Sequence, residues 1–387
     1  MANNTTDANE QGMSCILTED PMEAKICKAL AYSLLLVFSL LGNTLIIMVV
    51  CRDDKMKTTT NLLIVNMAVS DLLVPIFAMP RANVEIFYGN LRWLIDGAFG
   101  EALCKLTAFF QDISTAVSVQ SLVVISVERF YAVWFPLKAI RIKPRVKYVI
   151  LLIWFTSLVI HVPYLYGFRI GTFNGETYCY VAWSRPVTKI VFLLLIIIIY
   201  IIPLGVITTL YSLIVKKLRG QSFYGVRNLV IHFSQREKRN RNVLKMSLAI
   251  IVVFFLSMSP FVVYLSIDIF SDGRACLSKN FRFITQYLVH CNGALNFFTY
   301  FTFNQSYRRG FSKILSRVFC PCFSFFGRRK EVDLSHHLGL ESYGSHATVN
   351  TGLDCDSKNI VLTRVFSLEK SSQSSLRMVE LVNSQTL

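Results

Sequence analysis

The stretch whose reading decides the fold is Cys104–Pro136, CKLTAFFQDISTAVSVQSLVVISVERFYAVWFP. It opens on a cysteine, runs through apolar residues dotted with Ser and Thr, and closes on Glu128-Arg129-Phe130. A helix over these residues reaches about 48 Å, more than the bilayer core of about 30 Å requires. Such a helix is tilted and meets most of its neighbours. An Arg at the inner end of a greasy segment is costly unless paired or hydrated, so it reads as functional. The plain alternative is a helix-end anchor that snorkels to the interface. The stretch alone fits both.

Working outward, charged residues make up only 17% of the 387-residue chain and aromatics 13%, against about a quarter charged in soluble domains. A mean hydropathy of +0.48 is too apolar for one soluble core, so membrane spans are expected. The formal charge of +16 is placed between the apolar stretches. Nucleic-acid binding would instead put bases on a folded soluble face, so the reading is a membrane protein with basic cytoplasmic loops. The 10 cysteines include no CxxC pair, hence no zinc pattern.

Seven apolar stretches are expected to span, at about 29–51, 62–79, 104–136, 149–168, 187–215, 243–270 and 281–303. The fold class is therefore an all-α membrane bundle of seven helices. Asp71 lies in the second stretch, which is expected to end at Pro80; interior prolines Pro163, Pro203 and Pro260 are tolerable in a bundle. Lys and Arg crowd the first, third and fifth connections, while Asp96, Glu101, Glu176 and Asp272 mark the others. The positive-inside rule places the N-terminus outside and the C-terminus in the cytoplasm. No internal repeat is seen, which argues against a transporter.

Residues 1–28 read as an extracellular tail with glycosylation acceptors at Asn3 and Asn4. It has no signal-peptide core, so the first span directs insertion. Residues 304–322 read as an amphipathic helix on the inner leaflet, with Cys320 and Cys322 as palmitoylation sites. Residues 323–387 read as a disordered, Ser-rich cytoplasmic tail.

Asp71, mid-span, needs a cation, a proton or hydrogen bonds. Asn43, Ser118, Asn292 and Asn296 are polar residues of other spans able to face it. They suit a small-cation site, a protonated acid in a wet cavity, or plain interhelical hydrogen bonds. Cys104 and Cys179 both face the oxidising side and invite a disulfide; Cys27 and Cys276 are a second candidate pair, with Cys15 competing. Cys51 and Cys291 read as packed and unreactive. Arg81, Glu85, Gln111, Asp112, Asp268, Tyr287 and His290 lie near the outer ends of spans, as interface anchors or as ligand contacts. No GxSxG, HExxH or phosphate-cradling loop occurs, so no enzyme is expected.

Over about 29–322 the chain resembles a rhodopsin-like (class A) G protein-coupled receptor. The residues that carry the resemblance are Gly42-Asn43, Asn66–Leu72 with Asp71, Cys104, Glu128-Arg129-Phe130, Trp154, Pro203 with Tyr211, Phe254 with Pro260, and Asn296 with Tyr300. It implies that Glu128 holds Arg129 at rest. Activation then releases Arg129 toward Tyr211 and Tyr300 and opens an inner cleft for a heterotrimeric G protein. It also implies a sodium ion at Asp71, Ser118, Asn292 and Asn296 as an allosteric modulator, with no other cofactor, and a Cys104–Cys179 disulfide. Arrestin and receptor kinases would meet the Ser-rich tail. Agonist shifts a two-state equilibrium by its differential affinity.

Three departures stand out. Met258 replaces the family's span-six Trp, Phe297 replaces the proline after Asn296, and Asn240 stands where some members carry an acid. The first removes the family's aromatic toggle and the second its inner kink, while Asn240 predicts a looser resting state with ligand-free signalling. Gln111, where amine receptors carry Asp, resembles neuropeptide receptors, as does the alternating stretch Glu176–Tyr180, suited to a hairpin. Asp112 is about 100° round the helix from Gln111 and no simple substitute. The acids Glu85, Glu176 and Asp268 suit a basic peptide. The alternatives are an amine or other small-molecule receptor and, from another class, a transporter or channel using Asp71 and Arg129.

Overall fold

A computed structural model describes residues 20–135, 145–223, 231–271 and 277–324, with side chains outside 219–243 and 316–324. Its helices are α1 Met22–Arg52, α2 Thr59–Tyr88, α3 Gly97–Trp134, α4 Val146–Gly167, α5 Arg185–Leu218, α6 Ile231–Phe270, α7 Lys279–Phe303 and α8 Gln305–Ser324. Between α4 and α5 lies a hairpin of β1 Phe168–Phe173 and β2 Glu176–Val181. Among the described residues, α1 to α5 and the Leu244–Phe270 part of α6 are long and apolar enough to cross a membrane. Helix α7 has the length, at 25 residues, but carries His290, Asn292 and Asn296 within it. It packs between α6 and α1 and completes the seven-helix bundle.

The bundle is apolar outside and buries a chain of polar side chains within a largely apolar interior. Leu30, Leu34, Phe38 and Leu41 of α1 and Leu151, Leu152 and Phe155 of α4 are exposed, whereas Asn43, Asn66, Ser70, Asp71, Ser118, Asn292 and Asn296 are buried. Lipid supplies no hydrophobic drive between helices, so close contacts and hydrogen bonds hold them. Trp154 Nε1 donates to Asn66 Oδ1 at 2.8 Å, and Asn66 Nδ2 donates to Ser121 Oγ at 3.1 Å, joining α4, α2 and α3. Small residues let backbones approach. A Cβ on Gly42 would sit 2.9 Å from Phe297 Cβ, and one on Gly293 would sit 3.1 Å from Asp71 Cβ.

Several boundaries differ from expectation. Helix α1 starts at Met22, so 22–28 belong to the first helix rather than to the tail. Helix α2 does not stop at Pro80: it passes both prolines and ends at Tyr88. Pro75 has no N–H for the carbonyl of Asp71, and a wide π-type turn over Val74–Ala78 absorbs the misfit. A similar turn over Ile196–Ile201 precedes Pro203 in α5. Helix α7 runs unbroken through Phe297, which stacks on Phe301. Cys51 is exposed on α1, not packed, while Cys291 is half-buried beside Tyr32.

The hairpin turns at Asn174-Gly175, both at positive φ of 51° and 80°, as a tight two-residue connection demands. Among the described residues, 309–324 fall in a unit separate from 20–308. Along α8, Tyr307, Phe311 and Ile314 are buried while Arg308, Arg309, Ser312 and Lys313 are exposed, an amphipathic pattern. The side chains of Cys320 and Cys322 lie outside those described, as do Asn3, Asn4, Cys15, Cys276 and the Ser-rich tail; the side chain of Asn240 is also outside.

Candidate functional site

Three levels of the bundle carry the polar side chains. At one end of the bundle, the last turns of α3 bring Glu128 and Arg129 against the start of α2. Arg129 Nη2 donates to Glu128 Oε1 at 2.9 Å and to Thr60 Oγ1 at 2.7 Å, and Thr60 Oγ1 donates to Glu128 Oε2 at 2.7 Å. The guanidinium is thus tied to its own helix and to α2, which offsets part of its cost in an apolar setting, while its Nε has no partner among the described residues. Tyr211 of α5 is buried, with Arg129 in electrostatic reach and Ser247 and Ser126 beside its hydroxyl, which makes no well-formed hydrogen bond among the described residues. The Tyr300 hydroxyl of α7 has no hydrogen-bond partner among the described residues, and its ring stacks on Tyr307 with centroids 5.4 Å apart. Phe130 stacks on Trp134 along the outer side of α3.

Mid-span, the Asp71 carboxylate accepts from Asn296 Nδ2 at 2.9 Å, Ser118 Oγ at 3.2 Å and Ser114 Oγ at 3.5 Å. The side-chain oxygens of Asn43, Asn292 and Asn296 are buried without partners among the described residues. A cavity of about 20 Å³ adjoins the carboxylate, lined by Ser39, Ser114, Ser118 and Asn292 and reaching Gln111, Met258 and His290. That is room for one water-sized occupant. A carboxylate, hydroxyls and orphaned amide oxygens form a hard-oxygen set that fits a small cation. Among the described residues, no group of three or more His, Cys, Asp or Glu forms a metal site.

At the opposite end of the bundle the hairpin roofs α3. Cys104 and Cys179, both fully buried, form a disulfide. Backbone bonds from Trp93 N to Thr177 O and from Cys179 N to Leu91 O, each 2.9 Å, clamp β2 to the α2–α3 connection. Side-chain pairs Arg92–Glu176 and Thr177–Asp96 reinforce the clamp. Glu85 is nearly buried between two guanidinium groups, Arg81 Nε at 2.9 Å and Arg282 Nη2 at 3.1 Å.

The residues grouped by sequence as outer contacts therefore separate. Gln111 and His290 face the central cavity, and both ring nitrogens of buried His290 lack partners among the described residues. Asp112 instead sits beside His161 and Tyr164 of α4. Tyr287 donates to Ala31 O at 3.3 Å and meets Tyr32 edge-on, so it packs toward α1. Asp268 is exposed near Tyr264. Cys27 is exposed; its candidate partner lies outside the described residues. Sequence reasoning missed Thr60, Ser114 and Ser39. Their spacing is the available signal: Thr60 shares a polar α2 face with Asp71, and Ser114 lies one turn before Ser118 on α3.

A family model described as 7 transmembrane receptor (rhodopsin family) matches residues 42–300. Neuropeptide FF receptor 2 of Mus musculus is 31% identical over 307 residues, covering 73% of this chain and 70% of that protein. Neuropeptide receptor 22 of Caenorhabditis elegans is 30% identical over 333 residues, covering 81% and 75%. The QRFP-like peptide receptor of Branchiostoma floridae is 28% identical over 308 residues, covering 76% and 78%. The chain belongs to the rhodopsin family of seven-transmembrane receptors: it is a multi-pass membrane G protein-coupled receptor. That is a receptor class and not an enzyme class.

Proposed function

We propose that this receptor takes a peptide from the extracellular side and passes the signal inward by releasing Arg129 from Glu128 and Thr60. One observation carries the switch. The guanidinium is tied down on one side while two buried tyrosine hydroxyls, on α5 and α7, make no well-formed hydrogen bond among the described residues. A buried hydroxyl left unpaired costs about 1–3 kcal/mol, so an arrangement that pairs Tyr211 and Tyr300 is favoured once the α2–α3 tie is broken. A G protein docked in the opened cleft collects that gain.

The peptide reading is supported by three relatives named as receptors for neuropeptides or a QRFP-like peptide. It is also supported by a rigid hairpin that caps α3. The ligand contacts are Glu85, Gln111, Glu176, Asp268 and His290, with unequal parts, while Asp112 and Tyr287 pack toward α4 and α1. Glu85 and Glu176 already carry arginine partners, whereas Asp268 has no ion pair among the described residues. A basic group of the peptide therefore goes to Asp268, and the Arg81–Glu85–Arg282 cluster takes polar or anionic parts. An amine ligand is disfavoured because Asp112 faces α4 and not the cavity.

In this reading the N-terminus is extracellular and glycosylated at Asn3 and Asn4, and the C-terminus is cytoplasmic. Cys320 and Cys322 carry palmitate, Cys27 pairs with Cys276, and the Ser-rich tail is the substrate of receptor kinases and the docking site of arrestin. Asp71, Ser118, Asn292 and Asn296, joined by Ser114, would hold sodium, which supplies a positive charge that steadies the resting carboxylate. Screening a peptide library against cells expressing the receptor, with G protein activation as readout, tests the ligand class. Activation by amidated basic peptides is expected; a response restricted to small amines contradicts it.

A further inference from the structure

A groove of about 720 Å³ opens to the lipid between the inner halves of α5 and α6. Its α5 wall is the stripe Leu204, Thr208, Tyr211, Val215, and its α6 wall includes Leu248 and Val252. Both stripes follow helical spacing, and Val215, Leu248 and Val252 are each about 40–46% exposed. Apolar side chains this open in a groove call for an apolar occupant. Helix α5 is also the least enclosed of the apolar spans, with 11% of its most apolar window buried.

The inner end of the groove is different. Lys216 closes the α5 wall, and Lys245, one turn before Leu248, continues the α6 stripe; both are exposed. No Asp or Glu lies in 185–223, and none lies between Lys238 and Ile267. The rise from Leu204 to Lys216 is about 18 Å, close to the roughly 15 Å of one leaflet's hydrocarbon. An apolar slot one leaflet deep, ending in two lysines without a nearby acid in the sequence, matches a lipid with an anionic headgroup.

We infer that the α5–α6 groove is a binding site for an anionic phospholipid of the inner leaflet, its acyl chain along Tyr211 and Val252 and its headgroup between Lys216 and Lys245. The leaflet assignment rests on the orientation proposed above; the groove and its charge do not. Because Tyr211 lines the groove and lies in reach of Arg129, an occupied groove biases the latch, and the latch biases occupancy by the same factor.

The test uses the full-length receptor in phosphatidylcholine nanodiscs doped with phosphatidylserine that bears a diazirine on its acyl chain. After irradiation and digestion, labelled peptides are expected from residues 204–216 and 248–256. Lys216→Gln and Lys245→Gln should each lower labelling about fivefold, and Lys216→Arg should retain it. Val252→Trp, a change on the lipid-facing surface, should abolish labelling by filling the slot while both lysines remain. Equal labelling by a phosphatidylcholine probe would overturn the inference. So would labelling unmoved by the lysine changes, or labelling that falls as receptor density rises because a second copy covers the groove. Nanodiscs offer the same lipids to both faces, so a negative result counts against the groove and not against the orientation.

Discussion

Thr60 is the residue on which the resting state turns, because its single hydroxyl bridges Glu128 and Arg129. Replacing it with Val keeps the volume and removes both bonds, each worth about 1 kcal/mol net. Ligand-free nucleotide exchange should rise several-fold in Thr60→Val, measured on membranes with equal receptor content; unchanged exchange would show that Glu128 alone holds the guanidinium. Asp71 makes the second prediction at this scale. Asp71 and Asn292 border one small cavity and Asn296 bonds the same carboxylate, so sodium should lower agonist affinity in the parent receptor. In Asp71→Asn that sensitivity should vanish, read as agonist binding in sodium against potassium salts. The sequence exposed these residues unevenly. Asp71 and Arg129 are conspicuous because charge in an apolar run is costly. Thr60, Ser114 and Ser39 are not, since a hydroxyl in a span also satisfies itself on its own helix, as Ser121 does on Val117 O at 2.7 Å.

The helices were legible by length and hydropathy, and the hairpin by the alternation of Glu176–Tyr180. Less legible was the course of α2 beyond Pro80, because a proline reads as a stop unless a widened turn can be foreseen. Phe297 is a related case. The absent proline leaves α7 unbroken, and the phenylalanine fills the space over Gly42 that a larger residue on α1 would need. Gly42→Ala should therefore cost about 1–3 kcal/mol through overpacking, seen as a lower melting temperature in detergent. Pairing it with Phe297→Ala should recover part of that loss if the contact is the cause, and none if it is not. The clamp on β2 makes its own prediction: Cys104→Ser with Cys179→Ser should destabilise the receptor by about 2–4 kcal/mol and cut ligand binding even in the folded fraction.

For the molecule as a whole, charge is sorted by level: basic connections on one side, arginine-paired acids on the other, and an almost neutral middle. Arg81 and Glu85 stand four apart on α2 and could be paired by spacing, but the Arg282–Glu85 and Arg92–Glu176 pairs could not, because they form only through tertiary approach. This pairing narrows the peptide-facing acids to Asp268, and Asp268→Asn should weaken basic peptides by up to about fivefold while leaving neutral ones unchanged. In the proposed account one guanidinium unites the levels: tied to Glu128 and Thr60 at rest, it turns to Tyr211 and Tyr300 in the signalling state and is needed there. The most direct measurement is nucleotide exchange on a panel of G proteins, comparing the receptor with Arg129→Gln at matched surface expression. Loss of both ligand-free and peptide-stimulated exchange is the predicted result; exchange at the parent level would contradict the account.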